Sequence, residues 1–119
     1  MTICRGRLRY RYQDKETTVL TTDLFDNWIR DLKDLRAKTK IQVRIRRLKN
    51  GNFGDIEPIS DGFSELRIHE GQGYRVYLKQ KNNVMVILLS GRSKGTQQKD
   101  IIKAKQVFSQ IEGELWPQN

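Results

Sequence analysis

The run Val84-Met85-Val86-Ile87-Leu88-Leu89 constrains the fold most. Asn82-Asn83 turns the chain into it, and the Gly- and cation-containing stretch from Ser90 to Gly95 leads out. Side chains of a strand alternate between two faces. Six successive apolar residues therefore predict a strand covered on both faces, hence one inside a sheet. The chain has 119 residues, of which 36% are hydrophobic and 31% charged. That is the size and composition of one globular domain with one modest core. No internal repeat or linker divides it, so residues 1–119 read as a single domain.

The stretch from Ser64 to Gln80 reads as two further strands joined at Gly71-Gln72-Gly73. Leu66 and Ile68 alternate with Glu65, Arg67 and His69. Tyr74, Val76 and Leu78 alternate with Arg75, Tyr77 and Lys79. With the apolar set on a core, one open face collects Glu65, Arg67, His69, Arg75, Tyr77 and Lys79. Such a face can hold a phosphodiester and move protons around it. It is also what an ordinary solvated sheet face looks like.

The remaining elements follow in order. Arg5, Arg7, Arg9 and Arg11 alternate with Gly6, Leu8, Tyr10 and Tyr12, a strand with a basic face. Those arginines suit phosphate contacts, or an edge that repels other edges. Gln13–Glu16 reads as a turn, and Thr17–Thr21 as a short β-branched strand. Thr22 or Asp23 can cap a helix in which Leu24, Phe25, Trp28, Ile29, Leu32 and Leu35 recur at helical spacing. A second helix runs from about Arg36 to Lys49, burying Ala37, Ile41, Ile45 and Leu48 and exposing a basic remainder that includes Arg44, Arg46 and Arg47. So short a link makes the two a helical hairpin. Asp55–Ile59 is a short strand, which Pro58 places at an edge. Thr96 can cap a last helix with Ile101, Ala104, Phe108 and Ile111 aligned, and Gly113 begins a tail, residues 113–119.

Composition narrows the function classes. The net charge of +9 suggests a polyanionic or acidic partner. No apolar run approaches the roughly 20 residues of a membrane span. No leader peptide is visible, since arginines interrupt the amino terminus, and the single cysteine, Cys4, fits a reducing cytoplasm. One His and one Cys supply no transition-metal site of the usual kind. There is no P-loop, dinucleotide fingerprint or nucleophile elbow. What remains is acid–base and electrostatic chemistry. RNA cleavage without metal needs a base for the 2′-hydroxyl, an acid for the 5′ oxygen, and cations for the phosphate. His69 alone has an ordinary pKa near neutrality. Glu65 can act as base or hold the imidazole, Arg67 and Arg75 offer guanidinium forks for phosphate, and Tyr77 can stack or donate.

Four blocks carry a family resemblance: Asn50–Asp55, Ser64–His69, Gly71–Tyr77 and Ser90–Ile101. Together they resemble the phage-derived, HigB-like addiction module killer branch of the RelE/ParE toxin superfamily, over roughly residues 17–108. The resemblance implies an α+β fold: a β-α-α-β-β-β core with an antiparallel sheet, a helical hairpin packed on it and a carboxy-terminal helix. Residues 1–16 would be an added basic strand. It implies the toxin half of a type II toxin–antitoxin pair whose partner is a helix-turn-helix, HigA-like antitoxin, with operator DNA met only through that complex. RelE- and HigB-like members are ribosome-dependent mRNA endoribonucleases without a cofactor; ParE-like relatives poison DNA gyrase instead. On the first reading Arg67 and Arg75 stabilise the scissile phosphate, His69 and Glu65 transfer protons, and Lys94 completes the catalytic set. Arg44, Arg46, Arg47, Tyr77, Lys79, Arg92 and Gln98 would contact nucleic acid. No tyrosine follows the last strand, a departure from the RelE pattern. A gyrase inhibitor and a non-catalytic RNA-binding domain remain as alternatives on the same fold.

Overall fold

A computed structural model describes residues 18–82, 84–92 and 97–115. In chain order the elements are β1 (Thr18–Thr21), α1 (Asp23–Asp31), α2 (Leu35–Leu48), β2 (Ile56–Ser60), β3 (Phe63–Ile68), β4 (Tyr74–Lys81), β5 (Val84–Arg92) and α3 (Gln97–Leu115). The expected strand Arg5–Tyr12, the turn Gln13–Glu16, Cys4, Lys94, the Thr96 cap and residues 116–119 of the expected tail lie outside the described residues, as does the side chain of Arg92. Gly113, expected to end the last helix and begin the tail, instead lies inside α3.

The five strands form one sheet in the order β1-β5-β4-β3-β2. β5 is flanked on both sides, and Pro58 lies on edge strand β2. Three pairings are antiparallel; β1 departs from the expected antiparallel sheet by running parallel to β5. α1 and α2 lie between β1 and the rest of the sheet in sequence, and such a crossover is what lets two strands run parallel. Gly71 and Gly73 take φ of +60° and +85° between β3 and β4, the region that glycine enters without a Cβ penalty.

Local chemistry sets the helix limits. The Thr22 hydroxyl accepts from the Phe25 amide at 3.2 Å and donates to the Leu88 carbonyl at 2.7 Å, so one side chain caps α1 and pins it to β5. The expected first helix reached Leu35, but α1 ends at Asp31 and Leu32 is extended. Asp34 then caps α2 by accepting from the Ala37 amide at 3.1 Å. Leu35 therefore opens α2 and is 69% exposed, outside the stripe expected to bury it.

The sheet is covered on both faces. On one side Leu66, Ile68, Tyr74, Val76, Leu78, Met85 and Ile87 pack with Phe25, Ala37, Ile41 and Leu48 from α1 and α2. On the other, Phe63, Tyr77, Val86, Leu88 and Leu89 pack with Ala104 and Phe108 of α3. The apolar set of the hairpin is thus where alternation placed it. The opposite face is not open, as expected, because α3 lies on it and buries Glu65 and Tyr77. Among the described residues no helix is long and apolar enough to cross a membrane.

Candidate functional site

Strand register lays two rows across the α3 side of the sheet. One runs Glu57, Glu65, Tyr77, Leu89; the next runs Arg67, Arg75, Gly91. Arg67 and Arg75 are direct cross-strand neighbours, two like charges that need an anion between them. Glu65 supplies it. Its carboxylate is 2% exposed and accepts from Arg67 Nε at 3.1 Å and from Gln97 Nε2 of α3 at 2.7 Å. Arg75 Nε lies 3.8 Å from the same carboxylate, beyond hydrogen-bond range, and is buried without a partner. Arg67 also reaches Glu57 through Nη2. Its pKa is raised, first by the hydrogen bond to Glu65.

The buried Tyr77 hydroxyl likewise has no hydrogen-bond partner. Burial pushes its pKa up to about 12, helped by the negative charges of Asp100 and Glu65. Arg75 lies near enough to oppose that rise, in a geometry too poor to count as a hydrogen bond. Tyr77 cannot stack on a base as expected, because its ring belongs to the α3 core. Asp100, in the first turn of α3, has its carboxyl pKa raised by burial and partly offset by Arg75.

His69 follows β3 and is not held by Glu65. Its Nε2 lies 2.7 Å from Asp55 Oδ2, with the ring 75% exposed. That hydrogen bond holds the Asp55 carboxyl below the usual carboxylate range. The Asp55 carbonyl accepts from the Arg67 amide at 3.0 Å, so the His69–Asp55 pair sits beside the arginine row. His69 is thus a solvent-facing imidazole with an orienting carboxylate, and Glu65 is a buried acceptor inside an arginine pair.

The other expected contacts separate. Arg44 donates to the carbonyls of Arg67 at 2.7 Å, Asp55 at 3.3 Å and Phe53 at 3.5 Å, so its guanidinium ties α2 to the sheet instead of facing a ligand. Lys79 Nζ lies over the Phe63 and Phe108 rings at 4.6 and 5.3 Å and reaches the Asp61 carbonyl. That places it at the far end of the hairpin from Arg67. Arg46, Arg47 and Gln98 are exposed. A groove of about 560 Å³ lined by Leu35, Thr39, Val43 and Glu70 follows α2, outside the Arg67–Arg75 cluster. Sequence reasoning missed Asp55, Gln97, Gly91 and Asp100 as site residues, although all four fall within the blocks that carry the family resemblance. No group of three metal-ligating side chains occurs among the described residues.

No family model matches the chain. An uncharacterized protein from Haemophilus influenzae is 58% identical over 93 residues, which is 78% of this chain and 94% of that protein. A mutant of the Escherichia coli toxin RelE in the free state superposes with a TM-score of 0.60 at 8% identity, over 81% of this chain and 98% of RelE. The toxin-antitoxin complex RelBE2 from Mycobacterium tuberculosis gives 0.49 at 15% identity, over 65% of this chain and 91% of that one. The likeness to RelE shows the fold: a sheet with three helices, in the element order expected from the sequence.

Proposed function

Because the chain belongs to the same family as that Haemophilus influenzae protein and has the fold of the toxin RelE, we propose that it is a type II toxin, of the HigB-like branch, that cuts mRNA on the ribosome. The observation that carries this reading is the paired Arg67 and Arg75 over the buried Glu65 carboxylate. Two guanidiniums on adjacent strands match the two non-bridging oxygens that share the charge of a phosphodiester, and Glu65 keeps them from repelling each other. Fixed cations at the point where charge develops are the main source of rate in such a reaction. The 2′ oxygen attacks phosphorus as its proton leaves, the bond to the 5′ oxygen breaks, and that oxygen takes up a proton. We assign the exchange of one of those protons to His69; its exposure and its pairing with Asp55 support that role. Glu65 is too buried to touch a substrate and acts by holding the arginines. Lys94, Arg92 and Gln98 are further candidates for the site, and Arg46 and Arg47 are candidates for contacts with ribosomal RNA. The partner is an antitoxin of the helix-turn-helix, HigA-like kind, and the site of action is the cytoplasm.

The test is primer extension on cellular mRNA after brief induction, beside a supercoiling assay with purified gyrase. In-frame cuts within translated codons, with gyrase unaffected, are the expected result. Intact mRNA with inhibited gyrase would replace this reading by the ParE-like one. Neither effect would leave a basic RNA-binding domain.

A further inference from the structure

Arg75 sits between strands and helix in a way that the arginine–glutamate pairing does not explain. Its Nε is buried, yet stops 3.8 Å short of Glu65. Arg67 Nε already donates to the same Glu65 oxygen at 3.1 Å, so that carboxylate is shared between two guanidiniums and does not satisfy Arg75 alone. A second anion lies on the other side. The cross-strand neighbour of Arg75 is Gly91, and the Asp100 carboxylate rests directly on Gly91: a β-carbon there would lie 2.6 Å from Asp100 Oδ2. Gly91 does not have a left-handed backbone, so the missing side chain serves the close approach of Asp100.

We propose that Asp100 is a positioning residue for Arg75, drawing the guanidinium toward α3 and off Glu65 so that it stays available to a phosphate. The inference rests on the proposed cleavage reaction and adds to it a role for the first turn of α3. The charged groups that face Arg75 are Arg67 and Glu65 on β3 and Asp100 on α3, with the neutral Tyr77 hydroxyl beside it on β4. Without Asp100 the arginine would fall onto Glu65 and be neutralised there. Burial disfavours the Asp100 charge in the fold, so its carboxylate is kept against a stability cost. A packing role would predict the opposite.

Four proteins test this: wild type, Asp100→Asn, Gly91→Ala and the double variant. Single-turnover mRNA cleavage on programmed ribosomes is read at matched occupancy. Asp100→Asn should lose about tenfold or more in rate with unchanged ribosome affinity, the scale of a misplaced charge donor. Gly91→Ala pushes the flexible carboxylate away and should reproduce that loss, and the double variant should fall no further than either single one. The melting temperature of Asp100→Asn at pH 7 should equal or exceed that of wild type. A lower one would make Asp100 a packing residue and overturn the proposal, as would wild-type cleavage or additive losses. NMR of the Arg75 Nε–H at pH 7 separates this from the cleavage reading itself. In Asp100→Asn the signal should move to that of a hydrogen-bonded, slowly exchanging proton. An unchanged signal overturns the positioning role even in a protein that cuts no RNA, and a changed one supports it there.

Discussion

At the scale of single residues, two side chains have environments that sequence patterning does not convey. His69 and Glu65 stood on one strand face by alternation, but His69 lies past the end of β3 and pairs with Asp55 across the loop before β2. The sign of the resulting pH effect follows from Asp55. Its folded pKa lies below the ordinary 3.8, so it adds stability that is present above that value and is lost as pH falls through the folded pKa. His69→Gln or Asp55→Asn should therefore flatten the acid limb of stability below the ordinary carboxylate pKa, as read by urea midpoints across the acid range. Wild-type acid sensitivity in both variants would place the pair's contribution at zero. Arg44 gives a second prediction. Three carbonyl acceptors depend on it, so Arg44→Gln should lower stability by about 1–3 kcal/mol, where the exposed Arg46→Gln should change it by less than about 0.5 kcal/mol. Equal effects from the two would contradict the assignment of Arg44 to the scaffold.

Among the elements, the sheet was legible because apolar alternation and unbroken apolar runs report which side of a strand meets a core. Leu66, Ile68, Tyr74, Val76 and Leu78 face the α1/α2 core as their spacing requires, and β5 is buried on both sides. The second core was less legible for two reasons. A register shift at Tyr77/Leu78 breaks strict alternation against β5. The face under α3 also mixes Phe63 and Tyr77 with charged residues, so it reads as solvated until a helix is laid on it. Glu65 is the sharpest case: its burial depends on Arg67 and on Gln97, which is 32 residues away. The boundary between α1 and α2 was misplaced because Leu32 and Leu35 keep helical spacing across a break made by the Asp34 cap. The packing of α3 yields its own prediction. Phe108 meets Phe63 edge-on at 5.6 Å and is 6% exposed. Phe108→Ala should lose about 3–4 kcal/mol of unfolding free energy, measured by denaturant titration. A loss below about 1 kcal/mol would mean that α3 does not depend on this core.

For the whole molecule, the charge of +9 bears on association. Contacts between cations and RNA phosphates release counterions, so ribosome binding should weaken steeply with salt. Replacing Arg46 and Arg47 together by Gln should reduce the slope of log K against log salt by about 1–2, with the melting temperature unchanged. An unaltered slope would make this end of α2 a solvated face. The central claim is that the arginine pair above Glu65 cuts RNA on the ribosome. Its most direct test is cleavage of a defined mRNA on purified, programmed ribosomes, comparing wild type with Arg75→Ala at matched occupancy. The account predicts cutting by wild type and a loss of about two to three powers of ten in Arg75→Ala, with the fold retained. A natively folded Arg75→Ala that cuts at the wild-type rate would contradict it.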